Sequence, residues 1–226
     1  MFNSAVATLN APPVSIVLNW KSSYDGANGP LIDMSQAVPG YSAHPDILAA
    51  LAEGASDPAL ARYGPVEGDP EFRSAYADHV SQLYNAKIDR SEVQITSGCN
   101  QAFTAAIDTL CTDGDEVILP IPYYFNHRMW HDMMGVNTVV LDSGENLIPD
   151  AADAAALITE KTRALVLVSP NNPGGVEYPA PTLRAFYELA KNKGLSLIID
   201  ETYRDFDSRT GAPHDLFQDA DWGDTL

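Results

Sequence analysis

Basic residues are scarce in this sequence: 13 Lys and Arg stand against 31 Asp and Glu, giving a formal charge of −18. Such a surface repels phosphate backbones and anionic lipid headgroups, so neither nucleic acid nor membrane is an expected partner, and the acidity reads first as a source of solubility. Cysteine is nearly absent. The two that occur, Cys99 and Cys111, fall in one predicted helix, at a separation of about 18 Å. A disulfide needs Cα atoms within about 7 Å, so they do not pair within that helix, and a reducing, cytoplasmic compartment is expected. No run approaches the roughly 18 apolar residues that span a bilayer. No basic residue precedes Lys21, and Asn10, Pro12 and Pro13 interrupt the apolar stretch there, so the N-terminus does not read as a signal peptide. Metal patterns are missing too: His127 and His131 have i, i+4 spacing, but Arg128 stands where a zinc-protease helix carries Glu. Neither G-x-G-x-x-G nor G-x-x-x-x-G-K-[ST] occurs, which argues against a nucleotide-binding doubly wound domain.

What the sequence does have is apolar content, 45% of 226 residues, ample for a core. Residues 1 to about 45 read as irregular, with a strand candidate at 32–34 leading to a turn at Ala37, Val38, Pro39, Gly40 and Tyr41. A helix follows from Pro45 to about Glu53. A Gly- and Pro-rich loop then feeds a second helix near Pro70, with Asp69 as its N-cap. From Glu92 onward, strands at 93–96, 116–119, 138–141, 165–168 and 195–199 alternate with helices at 100–111, 124–134 and 149–158 and one carrying Leu183, Phe186, Leu189 and Ala190 at helical spacing. Thr182 is the candidate N-cap of that last helix and Gly194 its C-terminal stop. This alternation predicts an α/β fold, a mostly parallel sheet sandwiched by helices.

The unusual residues directly follow predicted strands. They are Ser97, Gly98, Cys99 and Asn100; the run from Pro120 to His127; Asn171 and Asn172; and Asp200 to Tyr203. In a parallel sheet such ends share one edge, where ligands bind. Ser97 to Asn100 open a helix, whose free N–H groups and positive dipole end suit a phosphate. Tyr124 offers an aromatic face to a planar ring. Asp200 is a carboxylate delivered at a strand tip.

Several of these stretches form motifs. Asn172, Pro173, Gly174 and Gly175 resemble the NPTG-type loop, and Asp200, Glu201, Thr202 and Tyr203 the D-x-x-Y strand end, of fold-type I pyridoxal-phosphate enzymes. The loop from Tyr63 to Arg73 resembles the Y-x-P-x-x-G-x-x-x-x-R signature, and Pro122 to His127 the P-x-W-x-N-H segment, of class I/II aminotransferases. The resemblance implies pyridoxal 5'-phosphate as cofactor and no metal. It implies that Cys99 and Asn100 hold the cofactor phosphate through backbone N–H groups, that Tyr124 stacks on the ring, and that Asp200 pairs with the ring nitrogen with His127 behind it. Asn172 and Tyr203 then meet the ring's phenolic oxygen. Tyr63 reaches the phosphate of a partner subunit's cofactor in a homodimer, and Gly40 lines the substrate carboxylate site. The implied reaction moves an amino group between an amino acid and a 2-oxo acid.

The same resemblance implies residues 1–45 as an N-terminal arm and start of a small domain, and 46–226 as an incomplete large cofactor-binding domain. No S-x-S-K segment is present. The five lysines, Lys21, Lys87, Lys161, Lys191 and Lys193, all lie away from the other motif residues in the predicted order, so the Schiff-base lysine of the family is absent from the chain. The chain therefore reads as the N-terminal part of such an enzyme, inactive alone. A lyase or decarboxylase of the same fold, or a non-catalytic remnant, are the alternative readings.

Overall fold

The computed structural model describes residues 4–36 and 40–226. Two compact units are present, one formed by residues 1–9 with 67–226 and the other by residues 10–66. In the larger unit, helix α1 (Ser4–Ala7) is a single turn. In the smaller unit, α2 (Pro13–Ser23) and α3 (Pro45–Ser56) each begin with proline at the first helical position, where its missing N–H costs nothing. The expectation of an irregular segment over 1–45 is thus corrected: Pro12 and Pro13 start a helix rather than only breaking one. Residues 32–34 form no strand. An isolated extended trio without a partner has no ladder to join. Of the turn expected from Ala37 to Tyr41, the first three residues lie outside the described residues.

The larger unit continues with α4 (Pro70–Tyr84), capped as expected by Asp69, whose Oδ1 accepts the N–H of Glu71 at 2.9 Å and of Phe72 at 3.0 Å. Then follow α5 (Cys99–Leu110), β1 (Glu116–Ile121), α6 (Phe125–Met134), β2 (Asn137–Asp142), α7 (Ala151–Leu157), β3 (Thr162–Val168), α8 (Ala180–Lys193) and β4 (Ser196–Asp200). The four strands pair parallel in the order β2-β1-β3-β4. Thr182 lies inside α8, which starts two residues earlier behind Pro179; Gly194 ends it in the left-handed region, φ +65°, as expected.

Alternation along the strands builds a core on each face. Val117, Leu119, Ala164 and Val166 pack with Phe103 and Ile107 of α5. Ile118, Leu165, Leu167 and Leu197 pack with Ala154 of α7 and Leu183, Phe186, Tyr187 and Ala190 of α8. Strands buried on both faces are what a parallel sheet requires. Residues 93–96 join no ladder, against the expectation of a strand. The Ile95 N–H bonds Glu67 O at 2.9 Å and Val93 O accepts from Arg73 Nε at 2.7 Å, so this segment is tied to the loop before α4 and to its first turn instead.

Candidate functional site

Every strand of a parallel sheet that points one way ends on one edge, and there a pocket of about 180 Å³ opens. Its walls are Ser97, Gly98, Cys99 and Asn100 before and at the start of α5, Tyr124 before α6, Val168 at the end of β3, Asn172 beyond it, and Asp200, Thr202 and Tyr203 at the end of β4. Six residues singled out from sequence, Cys99, Asn100, Tyr124, Asn172, Asp200 and Tyr203, are therefore brought together. The volume is below the roughly 300 Å³ at which pockets for drug-sized ligands begin, so these walls enclose part of a ligand.

Asp200 is buried at the base of the pocket. Its Oδ2 lies 3.2 Å from His127 Nε2, and its Oδ1 accepts both the Thr202 hydroxyl at 2.6 Å and the Thr202 N–H at 3.0 Å. Burial pushes this carboxyl upward, but the hydrogen bonds from His127 and Thr202 outweigh it and hold the group at about 2. Asp200 is thus an anion at neutral pH. His127, 1% exposed, is clamped by Phe103, with ring centroids 3.9 Å apart, and meets Tyr124 edge-on at 5.4 Å. Its Nδ1 is buried with no hydrogen-bond partner among the described residues.

Opposite stands the start of α5. Gly98, at φ +87°, turns the chain into the helix in a conformation that L side chains rarely adopt. The first intrahelical bonds run from Gln101 and Ala102 to Gly98 O, which leaves the N–H groups of Cys99 and Asn100 without an acceptor among the described residues. Asn126 Nδ2 bridges Tyr124 Oη at 2.8 Å and Asn100 Oδ1 at 3.3 Å, fixing the Tyr124 ring beside the helix end. Burial raises the Cys99 thiol, with the Asp200 charge adding to it, so the thiol stays protonated and is a poor nucleophile.

The loop after β3 is shaped by Asn171 rather than Asn172. Asn171 Oδ1 accepts the Gly174 N–H at 2.8 Å and its amide donates to Tyr178 Oη at 3.2 Å. A Cβ on Gly174 would lie 2.7 Å from that Oδ1. Gly40 and Tyr63 belong to the unit of residues 10–66, where both are exposed. Among the described residues no lysine lines the pocket, and no group of three or more His, Cys, Asp or Glu is placed to hold a metal.

Two contributors escaped the sequence reading. Thr202 supplies two of the hydrogen bonds to Asp200, an Asx-type turn that the spacing Asp-x-Thr signals. Glu201, between them, leaves on the other side: its Oε2 accepts the Tyr84 hydroxyl at 2.5 Å and its Oε1 lies 3.4 Å from His214 Nε2. That bond ties α4 and the segment around His214 to the strand tip. Nothing in the sequence signals a contact so distant along the chain.

A free helix N-terminus, an aromatic wall at Tyr124 and a buried anion with a buried imidazole behind it fit a flat, phosphorylated cation. Comparison with known proteins agrees. The family model described as aminotransferase class I and II matches residues 30–221. An aromatic aminotransferase of Arabidopsis thaliana is 34% identical over 180 residues, 77% of this chain and 45% of its own. An aspartate/prephenate aminotransferase of Thermus thermophilus is 33% identical over 156 residues, 68% of this chain and 39% of its own. Among solved structures, an alanine aminotransferase of Pyrococcus furiosus superposes with a TM-score of 0.84 at 22% identity, covering 94% of this chain and 55% of that one. This chain spans less than half the length of these two curated relatives. By the family model that matches most of its length, the chain belongs to the class I and II aminotransferases, which are pyridoxal-phosphate enzymes.

Proposed function

We propose that this chain builds the cofactor-holding side of an aminotransferase site that passes an amino group between an amino acid and a 2-oxo acid. The observation that carries the reading is the placement of Asp200: a buried anion, held by His127 and Thr202, facing the open N-terminus of α5 across one pocket. Bound there, pyridoxal phosphate supplies an electron sink and a carrier for the amino group. The N–H groups of Cys99 and Asn100, with the helix dipole, hold its phosphate. Asp200 keeps a proton on the ring nitrogen, and His127 fixes the carboxylate from behind. Tyr124 covers one face of the ring and excludes water from it. Asn172 and Tyr203 donate to the phenolic oxygen.

Gly40 lines the substrate carboxylate site, and Tyr63 reaches the cofactor phosphate of a second subunit in a homodimer. Exposed Trp20, Ile47, Leu51 and Tyr63 in the unit of residues 10–66 support such an interface, since apolar side chains in this number favour a cover. Residues 1–45 serve as arm and start of the small domain, and 46–226 as the large domain. Two free thiols suit the cytoplasm.

The absence of lysine from the pocket walls favours a second reading for these residues by themselves, cofactor binding without turnover. Equilibrium dialysis tests the common core of both. Pyridoxal phosphate is expected to bind at least about tenfold more tightly than pyridoxal, and Asp200→Ala to weaken it by a similar factor. Equal retention of the two compounds would remove the phosphate site, and with it this reading.

A further inference from the structure

Of the buried polar atoms without a hydrogen-bond partner among the described residues, two are ring nitrogens one turn apart on α6: His127 Nδ1 and His131 Nε2. Residues at i and i+4 share one helix face. Phe103 of α5 lies against both rings, with centroids 3.9 Å and 5.6 Å away. It belongs to an apolar cluster with Ile107, Val117 and Leu119, which offers neither nitrogen a partner. The two imidazoles are 1% and 0% exposed, so bulk solvent does not serve them either, and a buried polar atom left unmet is costly.

The proton positions follow from the partners that are met. Asp200 is held as an anion and can only accept, so His127 presents Nε2–H to its Oδ2 at 3.2 Å, and in the neutral ring Nδ1 keeps a lone pair that needs a donor. His131 is neutral at pH 7, because burial pushes it down to about 4, with the His127 and Arg128 charges adding to that. Thr138 Oγ1 on β2 lies 2.8 Å from His131 Nδ1 and has no other acceptor among the described residues. Its hydroxyl proton therefore points at Nδ1, and the ring's own proton sits on Nε2. The two unmet atoms are thus one acceptor and one donor. They form no direct hydrogen bond, and a single buried water that accepts from His131 and donates to His127 satisfies both.

We infer that His131, backed by Thr138, is a positioning residue of the cofactor site: through one buried water it supplies the donor that His127 Nδ1 requires, and so fixes the tautomer in which His127 faces Asp200. Bonds then run from Thr138 on β2 through His131, water and His127 to Asp200 at the tip of β4, each donating toward the carboxylate. Such a chain polarises its members in one direction. The inference rests on the cofactor reading for the role of Asp200, but its first test uses no cofactor.

Nitrogen-15 NMR of the histidine-labelled chain at pH 7 reads the tautomers. His127 and His131 are each expected to be protonated at Nε2 alone, with cross-relaxation from one long-lived water at the Hε1 protons of both rings. His131→Phe keeps a ring against Phe103 and removes the donor, so the His127 Nδ1 resonance is expected to move downfield. His131→Gln, whose amide accepts from Thr138 and donates onward, is expected to restore it. A proton on Nδ1 of either ring, a dry gap between them, or a His127 signal indifferent to His131→Phe overturns the inference. If His131→Phe does not fold, Thr138→Val is read in its place, with the same downfield movement expected and an unmoved signal overturning the inference.

Equilibrium dialysis then separates positioning from general damage. His131→Phe is expected to weaken pyridoxal phosphate and pyridoxal alike, by about tenfold, because the ring-nitrogen side is disturbed and the phosphate side is not, and His131→Gln is expected to recover both to within about twofold. Unchanged affinity, a loss confined to the phosphorylated compound, or a loss that His131→Gln does not rescue overturns the role. Equal retention of the two compounds by the unaltered chain would remove the cofactor reading, and the NMR result would still decide whether His131 orients His127.

Discussion

Phe103 lies face to face with His127, the ring centroids 3.9 Å apart and the planes 20° from parallel. The stack fixes the direction in which Nε2 points at Asp200, so a core side chain of α5 sets the geometry of a site anion that it does not touch. Phe103→Leu is expected to retain the fold with a loss of about 1–2 kcal/mol by urea titration. It is also expected to weaken pyridoxal phosphate binding several-fold, whereas an effect on stability alone would show that His127 is held without the stack.

Asp200 gives the fold an acid limit. Its carboxyl sits at about 2, below the ordinary carboxylate range, so its contribution to folding is full above about pH 5 and is lost as pH falls through 4 to 2. About 2 kcal/mol is involved. Thr202→Val removes the 2.6 Å hydroxyl bond and keeps the side-chain shape. It is expected to move the acid midpoint upward, and an unchanged acid limb would count against this account.

His131 works in a different range. Burial pushes its imidazole down from 6.5 to about 4, with the His127 and Arg128 charges adding to it, so the folded chain holds it neutral while the unfolded chain protonates it. The His131 contribution to stability is therefore expected to fall as pH drops from 6.5 towards 4, by about 2–3 kcal/mol, and to level off below, where the Asp200 loss takes over. His131→Gln, able to keep a bond to the Thr138 hydroxyl, is expected to flatten that slope. Denaturation midpoints at half-unit pH steps would show it.

Gly98→Ala separates strain from collision. No atom lies within 4 Å of a Cβ built there, but φ is +87°. The expected cost is about 1–3 kcal/mol of backbone strain together with weaker phosphate binding. Inorganic phosphate competition against pyridoxal phosphate, run on both proteins, measures the second part.

Mixing the chain with pyridoxal phosphate and borohydride is expected to mark no lysine above the others, because none lines the pocket. Peptide mass mapping that found one of the five preferentially labelled would contradict this.

The alternation of strands and helices after Glu92 was legible because two-faced burial leaves unbroken apolar runs such as 164–168, and because Gly194 and Asp69 announce helix ends through backbone and capping chemistry. Four of the site residues, Tyr124, Asn172, Asp200 and Tyr203, were legible for the same reason: each stands at or soon after a strand end, and parallel strands end together. What escaped depends on partners. Residues 93–96 have strand-forming side chains and no ladder, since a strand is a property of pairing and not of a segment. The hydrogen bond from Tyr84 to Glu201 joins positions 117 apart, and no local pattern encodes it. Pro12 and Pro13 were ambiguous for a physical reason: the same ring that breaks a helix interior suits its first turn.

Neighbouring carboxylates at the end of β4 depart on opposite sides, Asp200 to His127 and Glu201 to Tyr84. Losing one residue upstream in that strand would carry Glu201 to the imidazole and Thr202 to the phenol; gaining one would carry Ile199 to the imidazole and Asp200 to the phenol. The count of residues within β4 thus answers to two separate neighbours at once.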